Sequence, residues 1–337
     1  MPGYEFIDKE ERKSVNDVFS NGGVLFRHGF DLLRNNRYFV EDFENSFSKK
    51  IRSPYSLAVS SGTAALRVAL SVLDLKPNDE VITQSFTFVA TVEAIVESRA
   101  KPVCANIDTS LNMCPNDLLK KITKKTKAVI VVHMLGSPAR IREISNICKK
   151  FKISLIEDTA WGLGASVANK KLGTWGRMGT FSFDYAKTIT TGEGGMIAFR
   201  NKKDYYKAKA WHDHGHQNNP KVPRWEDTRD SSGFNFRMTE LQAAVGIAQL
   251  KKLNQIVSNQ QYNKKKIWKN IKMFNGIQER DLPAGAKDSC DSLVFLVSSR
   301  KKALECRKQL LKEGLPTKIL PEATTWHFAA DWSHIKE

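Results

Sequence analysis

Short apolar segments that alternate with helical patterns constrain the fold of this chain most strongly. Residues 128–133 read Ala-Val-Ile-Val-Val-His, an almost unbroken apolar run that is typical of a strand buried on both faces. Similar short runs occur at residues 56–59, 80–83, 102–108, 153–157, 179–183 and 196–199. Helical spacing of apolar residues separates most of them, for example at residues 64–75 and 136–151. This order predicts an α/β fold with a mostly parallel central sheet and helices on both faces.

The length of 337 residues favours one large domain and one smaller domain. We place the large domain at residues 1–250, including an N-terminal helical segment, and the small domain at residues 251–337. Apolar residues make up 41% of the chain, which suffices for a substantial core. The small domain is predicted to contain a long basic helix at residues 254–274, a strand at 291–298 and a helix at 303–313.

The sequence lacks the usual signals of export and membrane insertion. Its first residues form neither a basic nor an apolar leader region, and no apolar run approaches the roughly 20 residues of a membrane span. The five cysteines show no C-x-x-C pairing, which favours reduced thiols over a disulfide framework or a zinc site. We therefore expect a cytoplasmic protein.

The net charge of +17 is compatible with nucleic acid, a membrane surface or anionic metabolites as partners. The lysines form separate short clusters, for example at residues 121–127, 149–152 and 264–266, and not one continuous stripe. This distribution favours a solvated lysine-rich surface, and we expect no nucleic-acid partner. The same field would attract an anionic cofactor or substrate.

A single lysine, Lys187, lies between two predicted strands. An apolar run at residues 179–183 precedes it, and the cluster Thr190-Thr-Gly-Glu-Gly-Gly195 follows it. This pattern predicts a strand, a turn, a glycine-rich loop and a second strand. A lysine on such a turn can be partly desolvated. Because desolvation disfavours the ammonium form, its amine can then attack a carbonyl carbon. The alternative is a surface lysine beside a glycine-rich hairpin.

Two further groups stand at the carboxyl ends of predicted strands. A short strand leads directly into Ser60-Ser-Gly-Thr63 and a helix, so that free backbone N–H groups and the helix dipole can bind an anion. A plain N-cap at Ser61 or Thr63 is the alternative. Asp158 follows another strand, at the edge where open α/β sheets bind ligands. A turn or N-cap role is the alternative for Asp158.

Five ordered motifs resemble those of the DegT/DnrJ/EryC1/StrS family of pyridoxal-phosphate (PLP) sugar aminotransferases. The motifs are Ser60-Ser-Gly-Thr-Ala-Ala65, Phe86-Thr-Phe-Val-Ala-Thr91, Glu157-Asp-Thr-Ala160, the segment from Ser182 through Lys187 to Gly195, and Phe234-Asn-Phe-Arg237. The resemblance extends from about Gly23 to the end of the chain. It implies the aspartate-aminotransferase-like fold type I and a homodimer. It also implies amino transfer to a keto sugar, with glutamate as the usual donor.

The resemblance also assigns roles to single residues. Lys187 would hold PLP as a Schiff base, and Gly62 and Thr63 would bind its phosphate. Phe88 would stack on the pyridine ring. Asp158 would keep the ring nitrogen protonated, so that the ring withdraws electrons from the substrate. The remaining cofactor-binding candidates are Ala160, Trp161, Ser182 and, from the neighbouring subunit, Asn235. Without the family pattern, Phe88 would be a core aromatic and Asn235 an Asx turn.

Trp161 departs from the family, which usually has a polar residue near the cofactor's phenolic oxygen. Its indole N–H can donate the same hydrogen bond. Members of the family also continue for some tens of residues beyond the point where this sequence stops, so we expect the small domain to be incomplete.

The candidate substrate-binding residues are His214 and His327. The segments at residues 1–6, 213–216 and 326–335 resemble a narrower branch that makes 8-amino-3,8-dideoxy-manno-octulosonate from its 8-oxo precursor for bacterial lipopolysaccharide. Such a substrate is a carboxylated sugar without a nucleotide. The alternatives are a nucleotide-linked 4-keto or 3-keto sugar, a non-catalytic regulatory role, and a lyase. A dehydratase role is disfavoured, because the dehydratases of the family replace this lysine by histidine.

The histidines at residues 212–216 have a spacing seen in metal sites, yet no carboxylate or cysteine partner follows closely, so we predict no metal site.

Overall fold

A computed structural model describes residues 2–219, 221–320 and 327–335. The strands within these residues are β1 (Tyr55–Val59), β2 (Glu80–Gln84), β3 (Lys101–Ala105), β4 (Thr126–Val132), β5 (Ser154–Asp158), β6 (Ser166–Val167), β7 (Lys170–Lys171), β8 (Met178–Ser182), β9 (Gly195–Phe199), β10 (Ile277–Glu279), β11 (Ala286–Lys287) and β12 (Phe295–Val297). The α-helices are α1 (Lys9–Ser20), α2 (Phe39–Ile51), α3 (Gly62–Ser71), α4 (Val89–Glu97), α5 (Pro115–Lys121), α6 (Ile141–Phe151), α7 (Lys202–Trp211), α8 (Glu240–Ile271) and α9 (Arg300–Lys312).

Seven strands form the central sheet in the order β1-β9-β8-β5-β4-β2-β3. Strands β3, β2, β4, β5 and β8 run parallel, and β9 is antiparallel to both β8 and β1. The predicted mostly parallel sheet is therefore confirmed. Gly195 pairs with Val59 on one side and with Ser182 on the other. This register places the ends of β1 and β8 at one edge of the sheet, next to the start of β9.

Apolar side chains cover both faces of the sheet. On β1, Ala58 belongs to a cluster that includes Phe43 of α2 and Ala244 of α8. Its neighbours Leu57 and Val59 belong to a different cluster, which contains much of α3. Because successive residues of a strand point to opposite faces, this division shows that helices pack on both sides of the sheet.

The basic helix that we predicted at residues 254–274 starts earlier than expected. Helix α8 runs without a break from Glu240 to Ile271 and begins with a capping box formed by Thr239 and Gln242. Leu253 and Ile256 continue its buried face beyond residue 250. No proline interrupts this part of the sequence, so the amphipathic pattern persists. The domain boundary that we predicted between residues 250 and 251 therefore falls inside a helix.

The C-terminal part contains a two-stranded sheet of β10 and β12, and helix α9. The strand predicted at residues 291–298 is reduced to β12, because the chain bends at residues 291 and 292, directly after Cys290 with its φ of 61°. Strand β11 instead pairs with β6 in a three-stranded sheet with β7, so it joins the hairpin that precedes β8. None of the described helices is long and apolar enough to cross a membrane.

Candidate active site

The start of helix α3 forms an anion-binding turn at the end of β1. Ser61 is the N-cap, and its Oγ accepts a hydrogen bond of 3.0 Å from the N–H of Ala64. The N–H groups of Gly62 and Thr63 belong to the first turn, where a helix supplies no backbone acceptor for them. Both the predicted N-cap and the predicted anion site are thus compatible with this geometry, since the cap leaves these two donors for a ligand.

Gly62 permits a close contact between this turn and the end of β8. A Cβ atom at position 62 would lie 2.7 Å from Cβ and 3.0 Å from Oγ of Ser182. A larger residue would therefore push the phosphate-binding turn away from β8. The structure thus brings together the predicted cofactor-binding residues Gly62, Thr63 and Ser182.

The loop that carries Lys187 connects β8 to β9 and is fastened at its base. The N–H of Phe183 donates to Gly194 O at 2.8 Å, and the N–H of Thr191 donates to Phe183 O at 2.9 Å. Within the loop, the N–H of Lys187 donates to Asp184 O at 3.0 Å. These bonds hold the predicted glycine-rich loop in a defined conformation.

The amine of Lys187 is directed toward an aromatic ring. Its Nζ lies 3.6 Å from the centroid of the Trp161 ring. Burial lowers the pKa of Lys187, and the nearby carboxylates of Asp184, Asp158 and Asp291 oppose that effect. A lowered pKa increases the unprotonated fraction of the amine, and this form is the nucleophile toward carbonyl carbon. The surface-lysine alternative does not describe this environment.

Asp158 ends β5 and is 5% exposed. Its carboxylate accepts hydrogen bonds from Thr91 Oγ1 at 2.9 Å and from the N–H of Ala160 at 3.1 Å. Burial raises the pKa of Asp158, although both hydrogen bonds and the charge of Lys187 act in the opposite direction. Among the described residues no cationic side chain forms an ion pair with Asp158. A buried carboxylate of this kind fits the protonated ring nitrogen of PLP.

The side chains of Phe88 and His327 are in contact with each other. Phe88 is the N-cap of α4 and is 40% exposed. The rings of Phe88 and His327 are 5.6 Å apart, and His327 O accepts a hydrogen bond from the N–H of Thr87. Burial lowers the pKa of His327, and the charge of Lys187 adds to this effect. The Nδ1 atom of His327 is buried and has no hydrogen-bond partner among the described residues.

Asn235 and His214 are exposed, and no described contact joins either residue to Lys187. The Oδ1 atom of Asn235 accepts a hydrogen bond of 3.3 Å from the N–H of Arg237, as in the Asx-turn alternative. The N–H of His214 donates to Phe234 O. A role for Asn235 in a neighbouring subunit's site and a substrate role for His214 both stay predictions.

The other histidines of the 212–216 segment make internal contacts. His212 is fully buried beside Arg27, and His216 pairs with Asp227 at 3.0 Å. Across residues 2–219, 221–320 and 327–335, no group of three or more histidine, cysteine or acidic side chains could hold a metal ion.

Sequence reasoning did not identify Thr91 and Asp291 as part of the site. Thr91 is the last residue of the motif at residues 86–91, and its side-chain hydroxyl is a hydrogen-bond donor suited to a carboxylate such as Asp158. Asp291 is half-buried near Lys187, and desolvation raises its pKa. The sequence pattern gave no signal for Asp291, because it was assigned to a strand far along the chain.

The residues that are present fit PLP as a group. Backbone donors at Gly62 and Thr63 suit its phosphate, Asp158 suits its ring nitrogen, and the desolvated amine of Lys187 suits its carbonyl carbon. Together with the mostly parallel sheet, this site defines a PLP-dependent enzyme of fold type I.

The family model of the DegT/DnrJ/EryC1/StrS aminotransferase family matches residues 7–334, and the chain belongs to this family. It is 38% identical over 259 residues to the GDP-perosamine synthase of Vibrio cholerae, a match that covers 76% of this chain and 67% of that protein.

Two solved structures give the same picture. PseC of Helicobacter pylori, an aminotransferase of pseudaminic acid biosynthesis, superposes with a TM-score of 0.80 at 28% identity. The match covers 91% of this chain and 79% of the PseC chain. The E. coli GDP-4-keto-6-deoxy-D-mannose-3-dehydratase with bound hydrated PLP gives a TM-score of 0.82 at 26% identity, with coverages of 92% and 82%. These similarities agree with the fold type and with PLP as the cofactor.

Proposed function

We propose that this aminotransferase moves an amino group from glutamate to 8-oxo-3-deoxy-octulosonate, in the cytoplasm, for bacterial surface polysaccharide. The observation that carries the amino-transfer part is the position of the Lys187 amine, desolvated against Trp161 near the buried Asp158. The non-catalytic alternative is disfavoured because Lys187, Asp158 and the Gly62–Thr63 turn are all retained together.

The residues divide the chemical work as follows. When bound, PLP supplies an electron sink for the carbon atom that carries the reacting nitrogen. Gly62 and Thr63 would hold its phosphate, and Asp158 would hold the proton on its ring nitrogen. Lys187 Nζ takes the proton from the α-carbon of the amino donor as general base. In the second half, Lys187 Nζ returns a proton to the sugar carbon that receives the nitrogen.

The Nδ1 atom of His327, which has no hydrogen-bond partner among the described residues, supports a carboxylated sugar as the acceptor. A ring nitrogen that is buried beside Phe88 without a partner is costly unless a ligand group binds it. A carboxylate is a suitable partner, because hydrogen bonds to ionised acceptors are the stronger ones. The octulosonate has such a group and no nucleotide.

Nucleotide-linked 4-keto or 3-keto sugars are the second candidate class. This candidate is favoured by the similarity to the GDP-perosamine synthase, whose name denotes a nucleotide-linked sugar. Both candidates use the same Lys187 chemistry and differ only in how the acceptor is bound.

Turnover with glutamate separates the two candidates. We expect kcat/KM for 8-oxo-3-deoxy-octulosonate to exceed that for GDP-linked and UDP-linked 4-keto sugars. Removing one hydrogen bond to a charged group costs about 1.5–3 kcal/mol, so His327→Ala should raise KM for the octulosonate about 10- to 100-fold. His214→Ala tests the second predicted substrate residue in the same assay.

Preference for the nucleotide-linked sugars would exclude the octulosonate and leave the aminotransferase assignment intact. Borohydride reduction followed by peptide mapping tests that assignment separately. We expect a pyridoxyl group on Lys187 alone, and a label on another lysine would refute its role.

A further inference from the structure

The main chain at Lys187 is bound by a segment that lies far away in the sequence. The N–H of Gly3 donates a hydrogen bond of 2.8 Å to the carbonyl oxygen of Lys187. The ring of Tyr4 stacks on the ring of Tyr185, with centroids 4.5 Å apart and an angle of 4° between the planes. Residues Gly3–Phe6, a 3₁₀ helix that we name the N-terminal clamp, therefore contact the lysine loop at two neighbouring points.

The contact between the N-terminal clamp and the lysine loop is so close that only glycine fits at position 3. A Cβ atom there would lie 2.8 Å from Cα of Ile189, 3.0 Å from the carbonyl oxygen of Thr188 and 2.6 Å from Oε1 of Gln249. Two of these three neighbours are backbone atoms of the lysine loop. A side chain at position 3 would therefore have to displace the loop itself.

Helix α8 connects the N-terminal clamp to the other side of the same loop. Gln249 of α8 is fully buried, and its Oε1 accepts a hydrogen bond of 3.3 Å from the N–H of Thr190. Its Nε2 donates to Glu11 Oε1 at 2.9 Å. Lys252, one turn further along α8, donates to Glu11 and to Phe6 O, each at 2.7 Å. The N-terminal clamp is thus fixed at its end by α8 and at its start by the loop.

We propose that the N-terminal clamp is a positioning element for Lys187, which holds the main chain of the loop so that the amine stays against Trp161. A lysine side chain has several rotatable bonds, so the place of its amine depends on where the side chain starts. A displacement of about 1 Å in a reacting group can cost on the order of 100-fold in rate. The proposal rests on Lys187 being the reacting amine of the proposed function.

The test compares full-length variants of the holoenzyme and of the same chains freed of cofactor. Tyr4→Ala removes the ring stack, and Gly3→Val introduces the clash. Tyr4→Phe keeps the ring and should rescue. Glu5→Ala is the matched control, because Glu5 is exposed in the same segment. The first readout is the pH dependence of Lys187 acetylation by acetic anhydride in the cofactor-free chains, followed by peptide mass spectrometry. The second is kcat and KM of the holoenzyme.

We expect Tyr4→Ala and Gly3→Val to move the acetylation midpoint of Lys187 upward, toward that of a solvated lysine. We expect kcat to fall about 10- to 100-fold with little change in KM for glutamate. Tyr4→Phe and Glu5→Ala should match the wild type in both measurements. If Gly3→Val does not fold, Tyr4→Ala decides the outcome.

An unchanged acetylation midpoint in folded Tyr4→Ala would overturn the proposal. The same holds if Glu5→Ala shifts the midpoint as much as Tyr4→Ala does. Failure of the proposed function looks different, because the wild-type holoenzyme would then carry no borohydride label on Lys187.

Discussion

Replacing Lys187 by methionine should stabilise the cofactor-free protein at neutral pH, by an amount that shrinks as the pH rises. Burial lowers the pKa of Lys187 in the folded chain, whereas the unfolded chain has the ordinary value of 10.5. Below the folded pKa the amine is charged in both states, so folding bears the full cost of burying the charge. As the pH rises through the lowered folded pKa toward 10.5, the folded state loses its proton first, and this cost disappears.

The magnitude follows from linkage. Each unit by which the folded pKa is lowered corresponds to about 1.4 kcal/mol of stability that the wild type lacks below the folded pKa and regains above the unfolded pKa. Methionine fills a similar volume, and its sulfur can contact the Trp161 ring for about 0.3–1.5 kcal/mol. That packing difference does not depend on pH. The change of the difference with pH therefore reports on the amine alone.

The assay is urea unfolding of both cofactor-free proteins between pH 7 and 10.5. The free energy of unfolding of Lys187→Met minus that of wild type should be largest at pH 7 and fall steadily above it. The exposed Lys203 provides the control, and Lys203→Met should show a difference that stays flat. A flat or widening difference for Lys187→Met would show that the folded state does not disfavour the charged amine.

Three further changes test the rest of the site. Gly62→Ala places a Cβ atom 2.7 Å from Cβ of Ser182, so unfolding in urea should show a loss of about 1–3 kcal/mol, and PLP titration should show weaker binding. Unaltered PLP affinity would separate this turn from the cofactor. Asp158→Asn removes the charge opposite the ring nitrogen and should lower kcat about 100- to 1000-fold while borohydride still labels Lys187. A rate near wild type would exclude that role. Mixing Asn235→Ala chains with Lys187→Ala chains should restore about a quarter of the wild-type activity, because half of random dimers carry one intact site out of two. No recovery after demonstrated subunit exchange would place Asn235 outside the partner's site.

The parts of the molecule that local sequence determines were predictable. The apolar run of β4, the turn at Gly62 and the carboxylate at the end of β5 follow from periodicity and from strand-end geometry. Lys187 and Asp158 are each embedded in a motif of a few residues. Their distance from one another in the sequence did not matter, because a parallel sheet brings strand ends to one edge.

What could not be predicted depends on contacts between distant segments. The stacking of Tyr4 on Tyr185 and the approach of Asp291 to Lys187 have no periodic signature, since neither segment carries a pattern that names its partner. The contact between the Trp161 ring and Lys187 was also not predicted. We expected the indole N–H of Trp161 to donate a hydrogen bond, and the structure shows its ring against the Lys187 amine. The continuity of α8 was missed because its exposed face becomes strongly basic while its buried face continues unchanged.

The packing of α1 against α8 has a consequence for how the chain folds during synthesis. Ser14 of α1 bonds to Ala244 O across 230 residues, and Glu11 bonds to Gln249 across 238 residues. A ribosome adds roughly 5–20 residues per second, so about 10–50 s pass between the synthesis of α1 and the synthesis of the part of α8 that it contacts. During that interval the apolar side of α1 lacks the surface of α8 that it contacts in the folded chain. The N-terminal clamp, although synthesised early, thus completes its native contacts only after Lys252 of α8 has been made.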